Sequence, residues 1–383
     1  MSLCGAVFCL SAALGIQMSL FYNWSYDTLH IRPEQLGVVE SFREFPGLLI
    51  FLISALAARI AEPRLGGLAL MMFGVGLAAY TRVNGMVSLI MISLFWSAGL
   101  HTWMPLSSSI ALRLAEEGKQ GRRLGQVSAA GSLGTLFGMG IVRALAGWAH
   151  YDVCWYAAGV MAIAAGVIIL RVSGGKSATR PRFVFKRKYS VYYGLTLLEG
   201  CRKQVFITFA VFILVKEFDS SLKAISGLMI LNNALGFVLA PKVGRLIDRI
   251  GERRVLMTSY TLLVGVFLGY AFFGNIYALY AMYILDSLLF LTAVGNSTYL
   301  KKIAEPEDIT PSLATGVTMN HIAAVAVPVT GGLMWQTFGY RPVFIGGAVV
   351  VLLSIFCANR MRIPAAPKPV EPESIEPPTL AEF

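Results

Sequence analysis

The sequence predicts an all-α membrane protein, with twelve transmembrane helices arranged as two pseudo-symmetric six-helix bundles. Three observations lead there. Apolar runs of membrane-spanning length recur along all 383 residues, in a chain that is 56% hydrophobic and 14% charged, with mean hydropathy +0.67. That composition overrules the two soluble domains that length alone would suggest. A shift of 190 residues places Arg59, Ile60, Glu62 and Arg64 on Arg249, Ile250, Glu252 and Arg254, and Gly37 on Gly227. Agreement on one offset near half the chain length reads as an internal duplication. Lastly, the third, sixth, ninth and twelfth apolar runs lack Lys, Arg, Asp and Glu in their interiors, as when one helix in three faces lipid.

In chain order the spans lie near 3–22, 36–58, 65–81, 86–111, 124–147, 153–171, 190–214, 222–243, 254–274, 276–299, 311–335 and 342–359. Placing both termini in the cytoplasm puts 22 of the 32 Lys and Arg residues on that side and five outside, as the positive-inside rule favours. The net charge of +11 then reports membrane orientation and calls for no nucleic-acid partner. Residues 172–189 hold Lys176, Arg180, Arg182, Lys186, Arg187 and Lys188. They read as a basic cytoplasmic linker between an N-terminal bundle, 1–171, and a C-terminal bundle, 190–360. The tail, 361–383, is rich in Pro and Glu and reads as disordered. Five cysteines stand singly in apolar runs and read as small buried hydrophobes, and no cleavable leader is expected.

Between the eighth and ninth spans, residues 244–254 read GRLIDRIGERR. Six ionisable side chains cannot sit in hydrocarbon, so the stretch predicts a tight, water-facing turn. Gly244 and Gly251 permit close approach or a sharp turn. Arg249, Arg253 and Arg254 favour the cytoplasmic face, and Asp248 lies where it can accept a hydrogen bond from a guanidinium. The stretch resembles the signature loop of the major facilitator superfamily, in its second-half position and in a bacterial-type member. The first-half copy, 54–64, has Ala58 in place of the family's aspartate and Ala61 in place of its second glycine. The resemblance implies parallel halves that rock about a central site, giving alternating access.

Ionisable groups at membrane depth cost at least ~2.5–3 kcal/mol each on insertion scales, so they mark either function or mutual neutralisation. Glu199, Arg202 and Lys203 share one helix face in the seventh span. Two readings stand: a self-neutralising structural cluster, or the substrate and proton path with Arg202 gripping a carboxylate. Glu40, Arg43 and Glu44 repeat that spacing in the second span, just before Pro46 and Gly47. Glu40 is expected near the outer surface and solvated. The resemblance brings spans two and seven together externally, which implies a gate of Arg43 and Glu44, with Glu44 reaching Arg202 or Lys203. Asp286, near mid-depth in the tenth span, suits proton coupling. Gln17, Tyr22, His101 and His321 complete the polar candidates, although a lone histidine is as readily a satisfied core residue. Gly131, Gly134, Gly138 and Gly140 read as a close-packing face. That face is similar to the glycine-rich helix of proton-coupled drug antiporters, except that Met139 stands where those have proline.

No phosphate-cradling glycine loop, nucleophile motif or paired metal ligands are visible, so neither an enzyme nor a cofactor or metal is expected. The expected function is secondary active transport across the cytoplasmic (inner) membrane, by a monomer. Its partners would be a small polar solute, leaning to an organic anion or zwitterion, and protons. A proton-antiporting exporter of amphiphiles and a transporter-like sensor or scaffold are the alternatives.

Overall fold

A computed structural model describes residues 2–49, 60–115, 120–147, 150–172 and 185–362. In the first half the helices are α1 (Ser2–Leu29), α2 (Pro33–Leu48), α3 (Glu62–Ala79), α4 (Met86–Arg113), α5 (Gln120–Leu145) and α6 (Tyr151–Leu170). In the second, α7 runs over Ser190–Gln204, a π-helical turn at Val205–Ala210, and Val211–Lys216. Then come α8 (Leu222–Ile250), α9 (Glu252–Phe272), α10 (Ile276–Phe290, a 3-10 turn at Leu291–Ala293, and Val294–Ile303), α11 (Pro306–Phe338) and α12 (Arg341–Asn359). Ten of these are long and apolar enough to cross a membrane. The others are α2, whose described part stops at Leu48, and α7, which carries four charges and the π turn. Most of the expected linker (173–184), the tail from 363, and residues 54–59 of the first-half signature copy, Ala58 among them, lie outside the described residues.

Local chemistry sets the helix ends. Pro33, Pro63 and Pro342 open α2, α3 and α12, where a missing N–H costs nothing and the fixed φ already suits a helix. The Asn275 side chain accepts from the Tyr277 N–H at 2.8 Å and so caps α10. Gly251, at φ +87°, ends α8. The expected water-facing turn at 244–254 is therefore corrected. Residues 244–250 continue α8, and the turn is Gly251 alone. At 29 residues, α8 is about 43 Å long, more than a bilayer core of about 30 Å needs, so its charged end extends beyond the hydrocarbon.

The two halves pack alike. In the first, α1 lies on α5 and α6, α3 on α4 and α6, and α2 on α4. In the second, α7 lies on α11 and α12, α9 on α10 and α12, and α8 on α10. Each pairing is its counterpart six helices later. Between the halves, α2 packs on α11 and α5 on α8, again a related pair. Small residues permit these approaches: a Cβ on Gly15 or Gly138 would overlap the backbone carbonyls of Thr135 and Ala12, so α1 and α5 meet backbone to backbone. The helices without charge in their interiors, α3, α6, α9 and α12, carry exposed aliphatics such as Leu68, Val160, Leu262 and Leu352, as lipid-facing helices should.

Candidate functional site

A cavity of about 880 Å³ lies between the halves, walled by α1, α2, α4 and α5 on one side and α7, α8 and α10 on the other. Neither α3, α6, α9 nor α12 lines it. It is closed at the end holding Asn23. There the Asn23 side-chain amide donates to the Ser220 carbonyl at 3.0 Å, and Arg143 donates to the Lys223 carbonyl. Nearer the middle, the Tyr22 hydroxyl donates to the Ile207 carbonyl at 2.7 Å, inside the π turn, and Ser41 donates to the Val325 carbonyl at 2.6 Å. Towards the end holding Gly251 the walls run through Ser128, Ala240 and Pro241. Phe237 lines the cavity there while remaining 68% exposed, so the cavity opens at that end.

The α2 cluster sits on this wall. Arg43 forms a two-pronged pair with Glu40, one bond measuring 2.7 Å, and lies 3.7 Å from Glu44. Glu40 is fully buried beneath Arg43, which corrects the expectation of a solvated carboxylate. Glu44 does not reach Arg202 or Lys203 as the gate reading expected. Its Oε2 instead lies 3.7 Å from His101 Nε2 on α4 and 3.4 Å from His321 Nδ1 on α11. The cross-half contact at Glu44 thus exists with a different partner, because α11 packs on α2 and brings His321 to it. Gly47 leaves room for both imidazoles, since a Cβ there would overlap the His321 ring.

The α7 cluster is turned the other way. Glu199 accepts from Arg202, and Asp286 on α10 accepts from the same guanidinium at 3.3 Å. Arg202, Asp286 and Glu199 are 1%, 0% and 6% exposed and do not line the cavity. Of the expected trio only Lys203 faces it, followed by Gln204 and Phe206 at the π turn. π turns recur at functional sites because they release carbonyls and re-aim side chains, and here the Ile207 carbonyl is taken by Tyr22. Gln17, Tyr22, Arg43, Glu44, His101 and Lys203 line the cavity, whereas Glu199, Arg202, Asp286 and His321 do not. Sequence reasoning missed Asn232 and Asn233 on α8 and the pair Ser97 and Ser287, which stand on the wall one repeat apart. The serines could have been found by the same 190-residue shift that aligned Glu62 with Glu252.

At the Gly251 end the repeat surfaces again. Glu62 opens α3, is 3% exposed, accepts from Ser109 at 2.5 Å and lies 3.6 Å from Arg113 at the end of α4. Its counterpart Glu252 opens α9, is 1% exposed and pairs with Lys302 at the end of α10 at 2.7 Å. Within the signature stretch, Arg253 donates to Asn359, whereas Asp248 and Arg249 are exposed, with no ion pair among the described residues. Gly244 has no neighbour within 4 Å where a Cβ would point, so close approach does not explain it. Where the linker rejoins α7, Lys188 bonds Glu305 at 2.6 Å and Lys186 bonds Asp308 at 2.5 Å. The hydrogen bond from Lys188 holds the Glu305 carboxyl below its ordinary range.

Comparison with known proteins agrees with this architecture. The Major Facilitator Superfamily model matches twice, over residues 3–191 and 192–382. No curated protein matches the chain. Among solved structures, a mutant of the nucleoside transporter NupG is similar, with TM-score 0.79 at 14% identity, covering 94% of this chain and 98% of that one. An inward-facing, unoccupied bacterial homologue of the human lysosomal transporter Spinster gives 0.77 at 11% identity, covering 93% and 95%. The human organic anion transporter MFSD10 gives 0.63 at 12% identity, covering 93% and 98%. At such identities the likeness is one of fold. With two family-model matches spanning nearly all of a duplicated twelve-helix chain, this protein belongs to the Major Facilitator Superfamily, a family of membrane transporters and not of enzymes.

Proposed function

We propose that the chain is a secondary active transporter, carrying a small polar solute across the cytoplasmic membrane by alternating access. The observation that carries this is the cavity of about 880 Å³ between the halves, closed at one end by cross-half hydrogen bonds and open at the other. Its size suits a small-molecule site. With both termini cytoplasmic, as the Lys and Arg distribution favours, the open end faces the cytoplasm. Lys203 supports an organic anion or zwitterion, since among the described residues it has no acidic partner and it faces the cavity. Gln17, Gln204, Asn232 and Asn233 add hydrogen-bonding capacity around it. Coupling to protons is assigned to Glu199 and Asp286. Two carboxylates share one buried guanidinium, leaving one negative charge in excess, which a proton would neutralise.

Flux of candidate solutes into proteoliposomes, sorted by charge and driven by an imposed pH gradient, tests the reading. Accumulation of anions or zwitterions that collapses with the gradient supports it. Gradient-independent flux removes the coupling, and absence of flux for every class points to a sensor or scaffold. A second reading, an exporter of amphiphiles, has Met18, Phe206, Phe237 and Phe290 on the cavity wall in its favour. Competition by amphiphilic cations in the same assay would select it.

A further inference from the structure

We propose that Glu44, His101 and His321 form a binding site for a divalent transition-metal ion of the zinc class, and that the bound ion fastens the two halves together. One ligand atom from each of Glu44, His101 and His321 lies within 4.8 Å of the other two. Glu44 Oε2 is 3.4 Å from the His321 nitrogen and 3.7 Å from the His101 nitrogen, beyond ordinary hydrogen-bond length. Those two separations are close to another geometry, and an ion would draw the two imidazoles, within 4.8 Å of each other, nearer together. Ligands of a tetrahedral ion with bonds of about 2.0–2.1 Å stand roughly 3.4 Å apart.

The surroundings point the same way. His101 Nδ1 lies 2.9 Å from the Ser97 carbonyl and 3.0 Å from its hydroxyl; in the neutral tautomer that donates to the carbonyl, the free lone pair is on Nε2, facing Glu44. An imidazole fixed through its other nitrogen by a backbone carbonyl is the usual support for a metal-ligating histidine. His321 Nδ1 is buried without a hydrogen-bond partner, an orphan in want of a proton or an ion. Charge agrees as well. Arg43 is committed to Glu40 and meets Glu44 only at 3.7 Å, so the two carboxylates leave one negative charge in excess. Glu44 and His101 border the cavity, which gives the ion an entry path and leaves a fourth position for water. Two histidine nitrogens with one carboxylate select zinc-like ions over magnesium or calcium.

Glu44 and His101 belong to the first half and His321 to the second, so the site is complete only while α2 and α11 are together. An ion that binds one conformation alone shifts the population to it. This inference does not depend on which solute the cavity takes. The test uses purified full-length protein, stripped with chelator and titrated with zinc by calorimetry. We expect one ion per chain. His101→Gln and His321→Gln should each weaken binding by about tenfold or more, while both keep all five cysteines, His30 and His150. Magnesium should not bind. Spin labels at Arg82→Cys and Gly274→Cys, with the native cysteines replaced, report the separation of the halves at the Asn23 end. Zinc should narrow that distribution to the shorter distance, and His321→Gln should abolish the effect. Absence of stoichiometric binding, or binding unchanged in both histidine variants, overturns the site. Binding with an unchanged distance distribution overturns the fastening.

Discussion

Glu40, Arg43 and Glu44 on α2 and Glu199, Arg202 and Lys203 on α7 occupy one helical face with one spacing, yet the two sets are used differently. On α2 the arginine is held by the first acid, and the last residue of the set reaches the cavity and the opposite half. On α7 the arginine is sandwiched between Glu199 and Asp286 of its own half, and only the last residue, Lys203, is left to the cavity. What differs is the helix opposite. Facing α7 stands an aspartate on α10, and facing α2 stand histidines on α4 and α11. Spacing sets which groups share a face, and the neighbouring helix decides whether that face stores charge or presents it.

The sharpest way to break the comparison is to remove each arginine. Arg202→Ala strands two carboxylates in a dry site and should cost ~3–5 kcal/mol, read as loss of melting temperature and yield in detergent. Arg43→Ala should cost less, because Arg43 itself lines the cavity and water can take its place beside Glu40. Equal losses would erase the distinction. Next, Asp286→Asn should flatten the dependence of flux on pH, and Glu40→Gln should leave it intact. The reverse outcome would move coupling to α2. Lys203→Gln should weaken an anionic solute by about tenfold, ~1.4 kcal/mol, without altering the melting temperature. If affinity holds, the α7 lysine is no more presented than Arg202.

The smallest effect concerns Glu305. Its carboxyl is held below the ordinary range by the hydrogen bond from Lys188, so its stabilisation is present above the unfolded value of about 4.3 and is lost as pH falls through the folded one. Wild type should therefore melt slightly above Glu305→Gln at neutral pH, and the gap should close in acid. A gap that persists in acid would mean packing rather than charge.

Much of this was written in the sequence, and the reason it stopped is physical. Periodic burial and the repeat are local or self-comparing signals, so the twelve helices, the lipid-facing third of them and the pairing of Glu62 with Glu252 were accessible. The convergence of Glu44 with His321 was not, since it depends on how α11 docks on α2. Glu40 misled because depth was counted along the chain, whereas its burial comes from Arg43 folding back over it. The π turn also escaped. Nothing in VFITFA departs from an ordinary helix, and the Tyr22 hydroxyl that bonds within it comes from α1, far away in sequence.

At the seam between α2 and α11, a Cβ on Gly37 would strike the Pro328 carbonyl, and one on Gly332 would strike the Pro33 carbonyl. The two contacts are reciprocal, and neither carries an interlocking side chain. At these two points nothing has to unthread when the seam parts, so the side chains that must let go across it are Ser41, bonded to the Val325 carbonyl, and Glu44, against His321. The seam is also intolerant of bulk. A single methyl group at Gly37 would act as a doorstop, touching neither solute nor proton and altering only how long the door at that end stays shut.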